Sequence, residues 1–236
     1  MHHNKQYRAE TPLLDFNSES IQKLIRTHKW EEKDTYGQIE AVYRFVRDEI
    51  KFGYNRKDNL KASQVLDDGY GQCNTKTTLT MALLRALGIP CRFHGFNINR
   101  KLQKGAIPNW LYFFSPQKIK HSWVEVYFKG QWIQLEGFII DRKFLGRIQK
   151  KFNTIQGPFT GYGIATRDLQ NPEIEWNGNS TYIQKEGICD DLGIFDHPDD
   201  FYEKLGTNLK GPKAWFFKLI ARKVMNRNVQ KIRQNI

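Results

Sequence analysis

A cysteine, a histidine and a glutamate in this sequence have the types and spacing of a nucleophile, a base and an orienting acid. Cys73 follows Tyr70-Gly71-Gln72 and precedes a long stretch with helical spacing of apolar residues. The dipole and the unpaired N–H groups of a helix start favour the thiolate form of a cysteine in the first turn. The backbone N–H of such a cysteine can also stabilise an oxyanion. Cys73 is therefore the candidate nucleophile.

His121 and Glu136 fall on two strands of a predicted hairpin. The stretch HSWVEVYFKGQWIQLEG contains two alternating runs separated by Lys129-Gly130, which is a hairpin signal. A two-residue loop there pairs Trp123 with Glu136 and makes His121 the diagonal neighbour of Glu136, roughly 7–8 Å away at the backbone. A carboxylate can hold an imidazole at that spacing, and the held imidazole is an oriented base. The other predicted pairs are Phe128 with Gln131, Val126 with Ile133, Val124 with Leu135, Tyr127 with Trp132 and Glu125 with Gln134.

Helices are predicted on either side of the candidate nucleophile. Apolar residues recur at helical spacing over residues 35–51, where Thr35 and Gln38 form a candidate capping box, and more weakly over residues 18–29. The helix that begins at Cys73 is expected to run to residue 87 and to end at Gly88-Ile89-Pro90. It carries only two charged residues, so we expect it to be central in the fold.

The remaining elements are predicted from shorter patterns. CRFHGFNIN alternates like a strand, RKFLGRIQKKF is a basic helix, QGPFTGYG is a loop, and TYIQKEG is a candidate strand. Asp196 is expected to start a helix with Pro198 in its first turn. The chain closes with a basic amphipathic helix, PKAWFFKLIARKVMNRNVQKIRQNI.

Charge is concentrated at the C-terminal end of the chain. The 236 residues have a formal net charge of +12, and residues 210–236 contain eight basic side chains, from Lys210 to Arg233, and no acidic one. An anionic surface or partner would suit this helix. Its aromatic and aliphatic side chains could enter a lipid interface, but packing of that face on the domain is the favoured interpretation. Nucleic-acid binding lacks a recognition motif.

Cysteine and acidic residues do not indicate a metal site. Cys73, Cys91 and Cys189 are widely spaced, without the paired thiols of a structural zinc site or a disulfide framework. The acidic run of residues 190–200 lacks the pattern of a calcium loop. We therefore expect no metal and no cofactor. No apolar stretch suggests a signal peptide or a membrane span, so a cytoplasmic protein is expected.

These motifs together resemble the transglutaminase-like superfamily, whose core is papain-like. The resemblance is carried by GQCNTKTTLTMALLRALGIPCR and HSWVEVYFKGQWIQLEG, within residues 35–140. By resemblance, Cys73 is the nucleophile, His121 the base and Glu136 the acid. The family acid is usually Asp, so Asp141 is the alternative if Glu136 points away. Cys91 is interpreted as a packed core thiol.

The resemblance implies an α+β fold with a central helix packed on an antiparallel sheet. The expected organisation is an N-terminal extension with a helix over residues 1–34, a catalytic domain over 35–206 and a basic helical appendage over 207–236. The implied activity is acyl transfer from an amide, either a glutamine side chain or a peptide bond, through a thioester. Gln72, Trp123 and Tyr54 are predicted to contact the substrate.

Two questions stay open from the sequence alone. Hydrolysis and transfer to an amine share the same three residues, so the sequence does not separate them. A catalytically silent scaffold that binds a protein partner is the alternative, although the intact Cys73, His121 and Glu136 argue against it.

Overall fold

A central helix packed on an antiparallel sheet organises this α+β fold, which a computed structural model describes for residues 5–208 and 211–234. The helices are α1 (Glu19–Thr27), α2 (Thr35–Asp48), α3 (Ala62–Asp68), α4 (Cys73–Ala86), α5 (Asn109–Phe114), α6 (Arg142–Lys151), α7 (Pro198–Leu205), α8 (Gly211–Phe216) and α9 (Arg222–Gln234). The strands are β1 (Lys51–Phe52), β2 (Tyr70–Gly71), β3 (Cys91–Asn99), β4 (Lys118–Phe128), β5 (Gln131–Leu135), β6 (Phe159–Gly161), β7 (Ile164–Thr166) and β8 (Ile188–Phe195).

The sheet has the strand order β5-β4-β3-β8, with every neighbouring pair antiparallel. Its β4–β5 hairpin has the predicted register, from Phe128 opposite Gln131 to Val124 opposite Leu135. Lys129 and Gly130 both have positive φ angles, of 49° and 85°, which the tight turn between two twisted strands requires. The five predicted pairs from Phe128 to Val124 are therefore confirmed, whereas the predicted pair of Trp123 with Glu136 lies beyond the end of β5 and does not form. Residues 121 and 123 share one face of β4.

Helix α4 is buried along its length, as its low charge predicted. Every residue from Cys73 to Arg85 is buried, because α1, α2 and α3 pack on it from one side and β3 and β4 from the other. Its one buried lysine, Lys76, is satisfied by two backbone carbonyl groups, those of Arg47 at 3.3 Å and Ile139 at 3.1 Å. The helix ends before Gly88, which has a φ of 74°, the left-handed conformation expected of a residue just past a helix C-terminus.

Three local predictions are wrong. Asp34 rather than Thr35 caps helix α2, and its side chain accepts a hydrogen bond from the N–H of Gly37 at 2.9 Å. Helix α7 begins at Pro198 with His197 as its cap. TYIQKEG does not form a strand: Thr181 makes one isolated bridge to Leu135, residues 185–187 form a 3₁₀ turn, and the strand follows as β8.

The C-terminal helical region packs on the rest of the chain through Phe217, Ala221 and residues of helix α9. Met225, Val229 and Ile232 are buried, whereas the exposed apolar residues of the first half are Trp215, Phe216, Leu219 and Ile220. The expectation that the aromatic face packs on the domain is therefore wrong for these four residues. Residues 217–221 form a π-helical turn between α8 and α9. Lys210, counted above with the basic residues, lies outside the described range.

A buried ion pair anchors helix α9. The guanidinium of Arg233 lies 2.7 Å from the carboxylate of Asp141, and it also donates to the carbonyl oxygen of Phe52 at 2.9 Å. Burial alone would raise the pKa of Asp141, but Arg233 holds it below its ordinary value of 3.8. The stabilisation is therefore present above that ordinary value and is lost as the pH falls through the lowered pKa.

No helix within residues 5–208 and 211–234 combines the length and the apolar character that a membrane span requires.

Removing the buried arginine should destabilise the chain much more than removing an exposed arginine of the same helix. We expect Arg233→Met to lower the free energy of unfolding by about 3 kcal/mol, because it leaves the Asp141 carboxylate buried and unpaired. Arg227→Met, at an exposed position of α9, should change it by less than about 0.5 kcal/mol. Urea unfolding of both variants measures the difference, and equal effects would contradict the anchoring role of the pair.

Candidate active site

Cys73 is presented by a sharp change from strand to helix. The short strand β2 ends at Gly71, Gln72 caps helix α4, and Cys73 is the first residue of that helix. A Cβ atom on Gly71 would lie 2.8 Å from Thr75 Oγ1 and 2.9 Å from Lys76 Cγ, so only glycine lets the strand pass this close to the helix. The chain therefore passes from a strand end through one cap residue into the helix that carries Cys73.

His121 and Glu136 form a fully buried pair. Both side chains are 0% exposed, and the His121 Nε2 atom lies 3.0 Å from Glu136 Oε1. The contact is close in distance, but the two atoms are not aligned as a hydrogen bond. The second carboxylate oxygen, Oε2, accepts hydrogen bonds from the backbone N–H groups of Ile183, at 2.7 Å, and Gln184, at 2.9 Å. Two fixed donors therefore orient Glu136 so that its other oxygen faces the imidazole.

The surroundings of His121 favour its charged form. Burial alone would lower the pKa of His121, but the charges and polar contacts of Cys73 and Glu136 raise it from 6.5 to about 9. Because the folded value lies above the ordinary one, protonation of His121 stabilises the fold. That contribution is complete below about pH 6.5 and is lost as the pH rises through about 9. An imidazolium beside Cys73 is the arrangement that favours a thiolate.

Hydrogen bonds join the start of helix α4 to strand β4 on both sides of His121. Asn74 Nδ2 donates to the carbonyl oxygen of Lys120 at 3.1 Å, and Thr77 Oγ1 donates to that of Ser122 at 3.1 Å. Ser122 Oγ also donates to Asn74 Oδ1 at 2.9 Å. Residues 120 and 122 are the chain neighbours of His121, and Cys73 is the chain neighbour of Asn74. These bonds therefore fix the position of His121 relative to Cys73.

Cys73 lines a cavity of about 560 Å³. Two of the predicted substrate contacts, Gln72 and Tyr54, line the same cavity. The Gln72 side chain accepts from the N–H of Asn55 at 2.8 Å and donates to Asp58 Oδ1 at 3.3 Å. The hydroxyl of Tyr54 donates to Gln103 Oε1 at 2.8 Å, and burial, together with the nearby charge of Cys73, raises the pKa of Tyr54.

Trp123, the third predicted substrate contact, lies elsewhere. Its side chain is 3% exposed and is absent from the lining of this cavity. The indole packs on Phe96, with ring centroids 4.1 Å apart, and lies edge-on to Tyr182 and His121. Trp123 shares a face of β4 with His121. Because these rings cover its indole, Trp123 does not face the cavity.

Asp141, the alternative acid, is engaged by other groups. Its carboxylate accepts from the N–H groups of Phe144 and Phe52, both at 2.9 Å, and pairs with Arg233. Asp141 caps helix α6 in this arrangement. The carboxylate that faces His121 is that of Glu136.

The other two cysteines lie outside the cavity lining. Cys91 is 0% exposed, its thiol lies 3.6 Å from the Met81 carbonyl oxygen, and burial raises its pKa. Cys189 is exposed, and slight burial together with the Asp190 carboxylate raises its pKa.

Sequence reasoning missed two parts of the site. Ile183 and Gln184 hold Glu136 through backbone N–H groups, which carry no residue-type signal, and the strand pattern pointed to a different structure there. The C-terminal helical region supplies cavity-lining side chains, including Phe216, Phe217 and Met225. Its amphipathic pattern predicted an apolar face but not the surface that this face would cover.

Acidic residues do not gather into a metal site in the described part of the chain. No group of three or more His, Cys, Asp or Glu side chains there could hold a metal ion. Asp190 binds Asn97 and Lys118, and Asp191 binds His94.

The chain is similar to a known protein family and to solved structures. Residues 22–137 match the model of the transglutaminase-like superfamily, and this range contains Cys73, His121 and Glu136. A candidate cysteine protease from Cytophaga hutchinsonii is 15% identical with a TM-score of 0.49, over 85% of this chain and 49% of that one. Red sea bream transglutaminase is 14% identical with a TM-score of 0.31, over 92% of this chain and 33% of that one.

This chain therefore spans about half the length of the first structure and a third of the second. A search of curated proteins gave no match.

Neutralising the buried carboxylate should lower the pKa of His121 selectively. In Glu136→Gln we expect that pKa to fall from about 9 by about one pH unit or more, because a charge beside the imidazolium is lost. Glu125→Gln is the matched control, since Glu125 lies 2.7 Å from His94 and helps to raise the pKa of His94. NMR titration of the histidine rings measures both. A His121 pKa unchanged in Glu136→Gln would show that this carboxylate does not hold the ring.

Proposed function

The chain belongs to the transglutaminase-like superfamily through residues 22–137, and we propose that it catalyses acyl transfer at an amide carbonyl with Cys73, His121 and Glu136. The observation that carries this proposal is the fully buried contact of 3.0 Å between His121 and Glu136 beside a cavity-lining cysteine at a helix start. Covalent cysteine catalysis requires a nucleophile, a base and a group that orients the base, and Cys73, His121 and Glu136 are proposed for these three roles.

The reaction proceeds through a thioester. The Cys73 thiolate attacks the amide carbon, and the carbonyl electrons move to oxygen, where the backbone N–H of Cys73 at the helix start can help to stabilise the oxyanion. The intermediate collapses, the C–N bond breaks, and His121 donates its proton to the departing nitrogen. Water or an amine then attacks the thioester, with His121 taking the proton, and the thiolate is restored.

Glu136 acts by positioning His121. Its Oε2 is held by two backbone N–H groups, so the carboxylate does not rotate as the imidazole gains and loses its proton. The carboxylate also stabilises the imidazolium electrostatically, which keeps the thiolate and imidazolium together before the substrate binds.

Hydrolysis is the outcome that we propose for the acyl-enzyme. A lysine-type acceptor would have to approach Cys73 past the cations Arg56, Lys57 and Lys120 that line the cavity, and like charges disfavour that approach. Water meets no such barrier.

A protein-binding scaffold without turnover is the alternative function, and it requires none of the geometry around His121.

Alkylation by iodoacetamide tests the nucleophile with the other two cysteines as internal controls. We expect Cys73 to react at least about tenfold faster than Cys189 near pH 7, because its thiolate is paired with an imidazolium. The rate at Cys189 should rise about tenfold per pH unit between about pH 6.5 and pH 8.5, because the pKa of its thiol is raised. Mass spectrometry of the labelled peptides gives all three rates.

His121→Gln should remove the advantage of Cys73 without changing the rate at Cys189. If Cys73 reacts no faster than Cys189 in the unmodified chain, or keeps its rate and pH profile in His121→Gln, the proposed catalysis is wrong.

A further inference from the structure

The cavity beside Cys73 has two walls of opposite character. One wall consists of apolar side chains from β3, residues 100–107, α5 and the C-terminal helical region, among them Leu102, Ile107, Leu111, Phe114, Phe217 and Met225. The other wall is polar and contains Asp58, Gln72, Lys120 and Asn208. The volume of about 560 Å³ is that of a ligand site rather than of a packing defect.

Hydrogen bonds make the polar wall one continuous structure. Asp58 accepts from Gln72 Nε2, at 3.3 Å, and from the N–H and side-chain amide of Asn208, both at 3.0 Å. Asn208 Oδ1 accepts in turn from the N–H of Lys120 at 2.7 Å. Gln72 precedes Cys73, so the thiol lies where this wall begins.

Three cations line the cavity without a carboxylate partner. Arg56, Lys57 and Lys120 all line it, and within residues 5–208 and 211–234 none of them forms an ion pair. The one acidic lining residue, Asp58, is engaged by amide groups as described above. The cavity lining therefore has an excess of positive charge that an anionic group would complement.

Exposed apolar side chains surround the mouth of the cavity. Phe114 is 77% exposed and Phe216 is 40% exposed, and both line the cavity. Neighbouring residues on the same two helices, Trp110, Phe113 and Trp215, are also exposed. An exposed apolar rim of this kind suits a ligand with a long apolar segment that extends to the mouth of the cavity.

We propose that the cavity binds an amide with an aliphatic acyl chain on one side and an anionic amine component on the other, the chemistry of a long-chain N-acyl amino acid. The chain lies against Leu111 and the other apolar residues, the carbonyl carbon lies at Cys73, and the carboxylate lies among Arg56, Lys57 and Lys120.

The reaction of such a substrate follows from the proposed function. The Cys73 thiolate forms a bond to the acyl carbon, the C–N bond breaks, and the amino acid leaves with the proton of His121. Water then hydrolyses the thioester and releases the fatty acid, so that one water molecule is consumed and no other reactant is needed.

Binding to Cys73→Ala tests the site apart from catalysis. Calorimetry with N-acetyl-, N-octanoyl- and N-dodecanoylglycine, below the concentration at which they form micelles, should show affinity rising about fourfold per methylene. The dodecanoyl compound should therefore bind more than about a hundredfold tighter than the octanoyl compound. Equal affinity along the series would overturn the proposal.

Exposed variants separate the two walls without disturbing the core. Phe114→Arg should weaken binding of N-dodecanoylglycine at least about tenfold, whereas Ile194→Arg, at an exposed apolar position on β8 outside the cavity lining, should leave it unchanged. The double variant Arg56→Gln/Lys57→Gln should reduce the preference for N-dodecanoylglycine over its uncharged glycinamide, because only Lys120 then remains beside the carboxylate. Equal effects of Phe114→Arg and Ile194→Arg, or an undiminished preference for the carboxylate in the double variant, would overturn the assignment.

Turnover distinguishes failure of this inference from failure of the proposed function. The unmodified chain should release glycine and dodecanoate from N-dodecanoylglycine, as measured by mass spectrometry. Binding to Cys73→Ala without turnover by the unmodified chain would leave the binding site standing and overturn the catalysis. Hydrolysis of short amides with no gain from chain length would leave the catalysis standing and overturn the binding site.

Discussion

The fully buried pair of His121 and Glu136 is the constraint on which the site depends. Two titratable groups at 0% exposure are costly unless each has partners that compensate for the loss of water. The backbone N–H groups of Ile183 and Gln184 compensate Glu136, and Cys73 and Glu136 together keep the pKa of His121 near 9. The pair therefore persists only while the segment of residues 181–184, strand β4 and the start of helix α4 keep their places.

The rest of the fold supplies those places. Helix α4 is buried from Cys73 to Arg85, and its side chains bond to the backbone on both sides of His121, so helix and strand cannot slide past one another. At the other end of the chain, Arg233 fastens α9 to Asp141, and the preceding residues complete the cavity beside Cys73. Residues far apart in the sequence thus determine the surroundings of one thiol.

Regular patterns could be predicted from the sequence, whereas contacts made by the backbone could not. The β4–β5 register followed from alternation about Lys129-Gly130, and it brought His121 and Glu136 to one face. The donors to Glu136 were hidden because an N–H group belongs to almost every residue type. The exposed Trp215 and Phe216 were misjudged for a related reason: an amphipathic pattern shows which face is apolar, but tertiary packing decides whether that face is covered.

The most direct test of the account is the ultraviolet absorbance of the Cys73 thiolate at neutral pH. The pairing with His121 predicts thiolate absorbance near pH 7 in the unmodified chain, its loss in Cys73→Ser and its marked reduction in His121→Gln. Circular dichroism of the same samples shows that the fold is retained. Identical absorbance of the unmodified chain and Cys73→Ser at that pH would contradict the central claim, because Cys73 would then be a protonated thiol like Cys91.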